Sequence, residues 1–183
     1  DDDLRRRNDI VNREICKLVD GKDVFWCDFS DQLLTADGVL LRSVMPDLLH
    51  PGRYGYEVWA AAVKPYLDYA LSDGRLPAPP NRFANRIRRG AFRGPDVTAL
   101  NPTTRFEARW QPGGRRNWWA ERLLQHRTQI VDSNREFDLV MLGDSITHFW
   151  ETAGTVAYAE LTNAYSVLNL GYSGDCTQNA IWR

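Results

Sequence analysis

Residues 138–147 read DLVMLGDSIT, and the reading of this stretch decides the reading of the rest. A short apolar run, Phe137–Leu142, has the length and content of a buried strand and stops at Gly143. Asp144 and Ser145 follow, and a helix-compatible stretch begins there. In a doubly wound α/β sheet, reacting groups gather beyond the carboxyl ends of the strands. A strand that ends sharply at glycine and turns into a helix lifts one hydroxyl, here that of Ser145, clear of the sheet edge. Many strands that do no chemistry also end in Gly-Asp-Ser, so the segment needs company.

Two other segments supply it. A serine hydroxyl is not nucleophilic at neutral pH and needs a base, most often a histidine whose tautomer a carboxylate fixes. Met45-Pro46-Asp47-Leu48-Leu49-His50-Pro51 sets Asp47 and His50 three apart in a proline-flanked stretch. One turn at that spacing brings a carboxylate to an imidazole nitrogen. Taken alone, such a pair is more often a helix cap or a surface contact. The third segment, VLNLGYSGDCTQN over 167–179, is another apolar run entering a glycine-rich turn. Glycines there let backbone N–H groups approach a ligand oxygen. A plain strand-to-helix turn capped by Asp175 or Thr177 would read the same way.

Together the three segments resemble the SGNH, or GDSL, hydrolase family of serine esterases. The likeness is nearest the branch that holds platelet-activating-factor acetylhydrolase catalytic subunits and bacterial carbohydrate acetylesterases. GDSIT resembles the family's first block, NLGYSGDCTQN its second and DLLH its fifth. The flanks HFWE, AIWR and GYEVWAAAVKPYL are similar as well, and the resemblance spans roughly residues 4–70 and 115–183. It implies Ser145 as nucleophile, His50 as base and Asp47 as the group that orients His50. It also implies the backbone N–H groups of Ser145 and Gly174 as oxyanion donors, with Asp144 fixing the turn. The implied chemistry is metal-free and cofactor-free acyl transfer through a serine ester. The implied fold is a flavodoxin-like α/β three-layer sandwich around a parallel sheet of order 2-1-3-4-5.

The chain departs from the family in two ways. The Asp/His block precedes the serine block, whereas the family runs in the opposite order. Circular permutation produces this order, because a triad is defined by geometry and chain termini often lie close together. The family's third block, which carries an asparagine that is a further oxyanion donor, is not found in these 183 residues. Loss of one such donor typically costs about 100- to 1000-fold in rate. Two central strands and the helix between them are likewise unaccounted for. The fold is therefore expected to be circularly permuted or to have its central strands missing from the chain. A junction of two tandem domains would explain order and gap at once, and Ser145 and His50 would then not need to meet.

Periodicity predicts helices over Asn8–Val19, Gly55–Leu71 and Asn117–Val131, with Pro65 kinking the second or displacing its start. The third is expected to turn Trp118, Leu123, Ile130 and Val131 toward the sheet. Strands are predicted at Val24–Phe29, Phe137–Leu142 and Ser166–Leu170, and strands divided by helices point to a parallel layer. The resulting division is 1–71 with the Asp/His block, a linker or strap at 72–114, and 115–183 with the serine and glycine blocks, read together as one catalytic domain. The strap holds LPAPPNR, Arg82, Arg86, Arg88, Arg89, Arg93 and QPGG. Its composition argues a solvated linker over an anion or nucleic-acid site, because the whole chain carries a net charge of only −1.

A chain of 183 residues, 43% hydrophobic, can bury a sizeable core. Cys16, Cys27 and Cys176 are odd in number and lack paired spacing, which argues against a disulfide framework or a zinc site. Cys176 beside the serine-bearing region is a possible modification point. His126 is expected on a helix surface and His148 at a pocket rim or in a structural role. Phe149, Trp150 and Tyr172 are candidates to wall the substrate pocket, and by narrowing it they would favour short acyl groups. The expected partner is a small ester, plausibly an acetylated saccharide, with no nucleic acid and no membrane span. A homo-oligomer is compatible with the sequence, as are cytoplasmic and secreted locations. The rival readings are a non-catalytic carbohydrate-binding or scaffold remnant, and a phosphate-binding turn at GYSGD. The latter lacks both a G-x-G-x-x-G and a Walker motif.

Overall fold

The computed structural model describes residues 2–81, 118–132 and 135–182. The chain divides into two compact units, Asp1–Pro95 and Asp96–Arg183. Most of the predicted strap, residues 82–114 with its arginines, lies outside the described residues. The described residues form a mixed α/β protein whose sheet is a single parallel pair of strands. No described helix is long and apolar enough to cross a membrane.

The first unit begins with α1 (Asp2–Ile15), which starts earlier than predicted and passes into a 3₁₀ turn at Cys16–Leu18. Of its predicted apolar face Ile10 is buried, while Val11, Ile15 and Leu18 are exposed. Asp20 then turns the chain. Its Oδ1 accepts the N–H groups of Val24, Lys22 and Asp23, which holds the carboxyl down at about 2.

The predicted strand Val24–Phe29 does not form; the segment carries only an isolated bridge position at Cys27. A strand needs a neighbour to satisfy its ladder, and this segment is bonded by side chains instead. Trp26 N–H donates to Asn81 Oδ1, and the Cys27 thiol donates to the Ala62 carbonyl. Its aromatic rings lie on α2 (Arg53–Ala70): Phe25 edge-on to Tyr66 and Tyr69, and Phe29 stacked on Trp59. The β-favouring residues therefore cover a helix rather than join a sheet. α2 is a single helix that runs through Pro65, so the proline neither ends it nor moves its start. Gly52 precedes α2, and its N–H donates to Val44 O, closing the loop that carries Asp47 and His50. Val44 and Tyr56 are buried beneath that loop.

The second unit opens with α3 (Trp118–Arg127), which widens into a π-helical turn at Thr128–Asp132. An i→i+5 turn shifts the phase of everything after it. Ile130 and Val131 accordingly point outward, 48% and 67% exposed, instead of toward the sheet as predicted. Next come β1 (Leu139–Gly143), a single helical turn α4 (Ser145–His148), a 3₁₀ turn at Phe149–Glu151, α5 (Thr155–Ala164) and β2 (Val167–Gly171). The short helix α6 (Thr177–Trp182) closes the unit. β1 and β2 pair in parallel with Leu139 opposite Val167 and Gly143 opposite Gly171. Parallel neighbours require a crossover, which α4, the 3₁₀ turn and α5 supply. Leu168, Trp150, Ala157 and Tyr172 form the unit's apolar interior.

The two edges of this pair differ. Tyr172 N–H donates to Gly143 O, continuing the ladder from β2 to β1. The carbonyls of Asn169 and Gly171 belong to the opposite edge of β2, since alternate residues face alternate sides. Both accept from the Arg122 guanidinium at 2.9 Å, and Gly171 N–H is taken by the Asn169 side chain at 2.8 Å. Side chains thus occupy the positions that a further strand beside β2 would need.

Candidate active site

Of the residues that the sequence points to, Asp144 and Ser145 open α4, Gly174 lies in the turn after β2, and Asp47 and His50 lie in the loop before α2. Asp144 precedes α4, its Oδ1 accepting the Ile146 N–H at 2.9 Å as a helix N-cap. Ser145 is the first residue of that turn and is half-buried. The turn folds tightly against both strand ends. A Cβ at Gly143 would run into the Thr147 side chain, and one at Gly171 into the backbone of Thr147 and His148. The Asn169 amide donates to Thr147 O at 3.0 Å, tying β2 to the same turn.

After β2 the chain makes a four-residue turn, Tyr172 to Asp175, closed by Asp175 N–H donating to Tyr172 O. Gly174 is its third residue, with φ at +82°, the left-handed conformation that glycine adopts without steric cost. Asp175 Oδ1 accepts from Trp119 Nε1 at 2.9 Å, which pins the turn to α3. At the start of α6, Asn179 reaches back to accept the Cys176 N–H, one half of a capping box.

Arg122 braces this region from α3. It meets Glu151 with two parallel bonds of 2.8 and 2.7 Å, in addition to the β2 carbonyls. Its guanidinium also lies 5.4 Å from the centre of the Tyr172 ring. Nothing local in the sequence marks this pair, because its members are 29 positions apart. His126 is likewise not the surface residue expected. It is buried, with Nδ1 2.8 Å from the Tyr172 hydroxyl and its ring edge-on to Tyr172. Tyr172 and Trp150, expected to wall a pocket, have 0% and 2% of their surface exposed and act as packing for the unit. Phe149 remains half-buried beside His148.

His148, beside Ser145 on α4, is held by three groups. Its Nδ1 is 2.9 Å from Ser173 Oγ, and the Ser173 N–H points at the same nitrogen from 3.4 Å. Its ring stacks on Trp118 at 5.6 Å. Burial first, and the Arg122 cation second, push its pKa below the ordinary histidine value, against a smaller opposing effect of Glu151.

In the first unit, Asp47 and His50 form a closed local motif. Asp47 Oδ1 accepts the N–H groups of His50 and Leu49 at 2.7 and 3.0 Å, and Oδ2 lies 2.6 Å from His50 Nδ1. The His50 ring contact is the chief cause, and the two backbone N–H groups the next, that hold the Asp47 carboxyl well below the usual range. An ionised Asp47 accepts only, so Nδ1 carries the proton and the lone pair of the neutral ring falls on Nε2. That is the tautomer a general base needs. Both groups reach solvent, with the imidazole 25% and the carboxylate 55% exposed. The structure thus brings together Asp47 with His50 in one unit, and Ser145 with the Gly174 turn in the other. No family model, curated protein or solved structure matches the chain.

Proposed function

We infer that the protein is a serine esterase of SGNH type that hydrolyses short acyl esters, with acetylated saccharides as the substrate class. The observation that carries this reading is the Asp47–His50 pair, whose 2.6 Å contact selects the base-competent tautomer. Ser145 at the strand–turn–helix junction and the left-handed Gly174 after the next strand add to it. The side-chain cap on the outer edge of β2 agrees with a terminal strand, the place the second strand holds in a 2-1-3-4-5 three-layer sandwich.

In an esterase of this type the histidine Nε2 takes the serine proton as the hydroxyl oxygen attacks the acyl carbonyl, and the reading gives these roles to His50 and Ser145. The N–H groups of Ser145 and Gly174 hold the oxyanion. Protonated His50 then gives its proton to the leaving alcohol, and water activated by the same nitrogen releases the acid. No metal or cofactor takes part. Hydrolysis of p-nitrophenyl acetate that disappears in Ser145→Ala and in His50→Ala is the expected result. The acetate should turn over much faster than the octanoate. A rate indifferent to Ser145 refutes the reading.

A second reading is favoured by one observation: the Asp/His and serine blocks fall in separate compact units. On that reading the chain joins parts of two tandem domains of the same family. A rate lost in Ser145→Ala and intact in His50→Ala selects it.

A further inference from the structure

We propose that His148 is a positioning residue, whose bond to Ser173 ties the turn presenting Ser145 to the turn presenting the Gly174 N–H. The inference rests on the esterase reading and assigns a role to a histidine which that reading does not use. Two short turns must be held in register for a nucleophile and an oxyanion donor to act on one carbonyl. Each is secured to its own strand, β1 for Ser145 and β2 for Gly174. The His148 Nδ1–Ser173 Oγ contact of 2.9 Å joins a residue of α4 to the residue before Gly174. It is a side-chain bond between the two turns themselves, made beyond the strand ends.

The direction of this bond follows from its surroundings. The Ser173 N–H also faces Nδ1, at 3.4 Å, so a proton on Nδ1 would oppose it. Nδ1 is therefore the acceptor, Ser173 Oγ–H the donor, and Nε2 carries the ring proton. Trp118, stacked on the imidazole, fixes the ring plane. Arg122 on α3 and Glu151 after α4 are the charged groups acting on the ring, and burial with the Arg122 cation keeps it neutral. The backbone of β2 at Gly171 packs directly on the backbone of Thr147 and His148, where a Cβ would have no room, so the ring springs from a turn already seated on the strand end. A shift of about 1 Å in such a constellation costs on the order of 100-fold in rate while leaving binding nearly intact.

The test compares His148→Leu, His148→Asn and Ser173→Ala with the native chain. Asparagine places an acceptor oxygen near the position of Nδ1, and leucine fills the space without one. With p-nitrophenyl acetate, His148→Leu and Ser173→Ala are expected to lower kcat by about 10- to 100-fold with KM unchanged, and His148→Asn to recover most of the loss. Independently of activity, nitrogen NMR should show an unprotonated Nδ1 in the native protein. The Gly174 amide signal should move in His148→Leu and Ser173→Ala and return in His148→Asn. Native kcat in His148→Leu, an equal loss in the leucine and asparagine variants, or a protonated Nδ1 at neutral pH overturns the proposal. A native rate that survives Ser145→Ala overturns the esterase reading, and the amide shifts still decide whether His148 holds the two turns together.

Discussion

Replacing Arg122 with methionine removes the side chain that joins α3 to Glu151 and to the outer edge of β2. The side chain is 11% exposed and makes four polar contacts, two to Glu151 and one each to the carbonyls of Asn169 and Gly171. Methionine keeps much of the stem and deletes all four. Breaking a buried ion pair by removing one partner costs about 3–5 kcal/mol. Glu151 is 29% exposed, so water recovers part of its solvation and the lower end applies. The two carbonyls lie on buried residues, Asn169 and Gly171, and each lost bond adds on the order of 1 kcal/mol, partly offset by water at the strand edge. The sum is about 4 kcal/mol, a factor of roughly 1000 in the opening equilibrium. Hydrogen exchange of the β1 and β2 amides reads that equilibrium directly. Protection there should fall by about three orders of magnitude in Arg122→Met. Glu151→Gln introduced into the same chain should restore about tenfold, because no uncompensated carboxylate is left. Protection within threefold of native in Arg122→Met would refute the assignment of Arg122 as the brace of this unit.

Other expectations concern the first unit. Asp47→Asn keeps both backbone acceptor bonds but offers an amide N–H to Nδ1, which selects the wrong tautomer; esterase kcat should fall by about 100- to 10,000-fold with the fold unchanged by circular dichroism. The native Asp47 carboxyl should stay ionised on acidification past about pH 3.9, the unfolded value. Its contribution to stability is therefore complete above that pH and disappears as pH falls through the lower folded value; a carbon NMR titration of the Asp47 carboxyl checks this. Gly55→Ala would place a Cβ 2.8 Å from Val44 O and 2.9 Å from Pro51, both of them parts of the Asp47–His50 loop's support. Urea unfolding should report a loss of about 1–3 kcal/mol, and the His50 ring signals should shift with it.

Local signals were read correctly where the chain's own periodicity or turn chemistry settles the structure. The strands around Met141 and Leu168, the cap at Asp144 and the Asp47–His50 contact all arise within a few residues of one another. The signals failed where distant residues decide. VFWCDF has the composition of a strand, but no partner strand pairs with it among the described residues, and its rings settle on α2. Hydrophobic periodicity placed Ile130 and Val131 inward, and the π-helical turn rotates them out. Tyr172 reads as a pocket aromatic from its place after Gly171. Trp119, His126 and Arg122 from α3 enclose it, and nothing near Tyr172 in the sequence announces that helix. The same distance hides the His148–Ser173 bond, although both residues lie inside the motifs that drew attention first.

The loop from Val44 to Gly52 bears on function through its energetics. Leu48, a branched residue with no glycine's freedom, is held at φ +63° and is 49% exposed. A left-handed conformation costs a non-glycine residue about 1–2 kcal/mol. The Asp47–His50 ion pair does little to offset that, because exposed pairs add little to stability. The loop is held instead from beneath, by Gly52 N–H on Val44 O, by Arg42 donating to Pro46 O, and by buried Pro51 against Gly55. Packing thus maintains a strained backbone whose outward product is one oriented imidazole. Strain kept at a solvent-reachable polar pair agrees with a site that does chemistry, as the esterase reading proposes. The esterase reading gives that imidazole a proton to move.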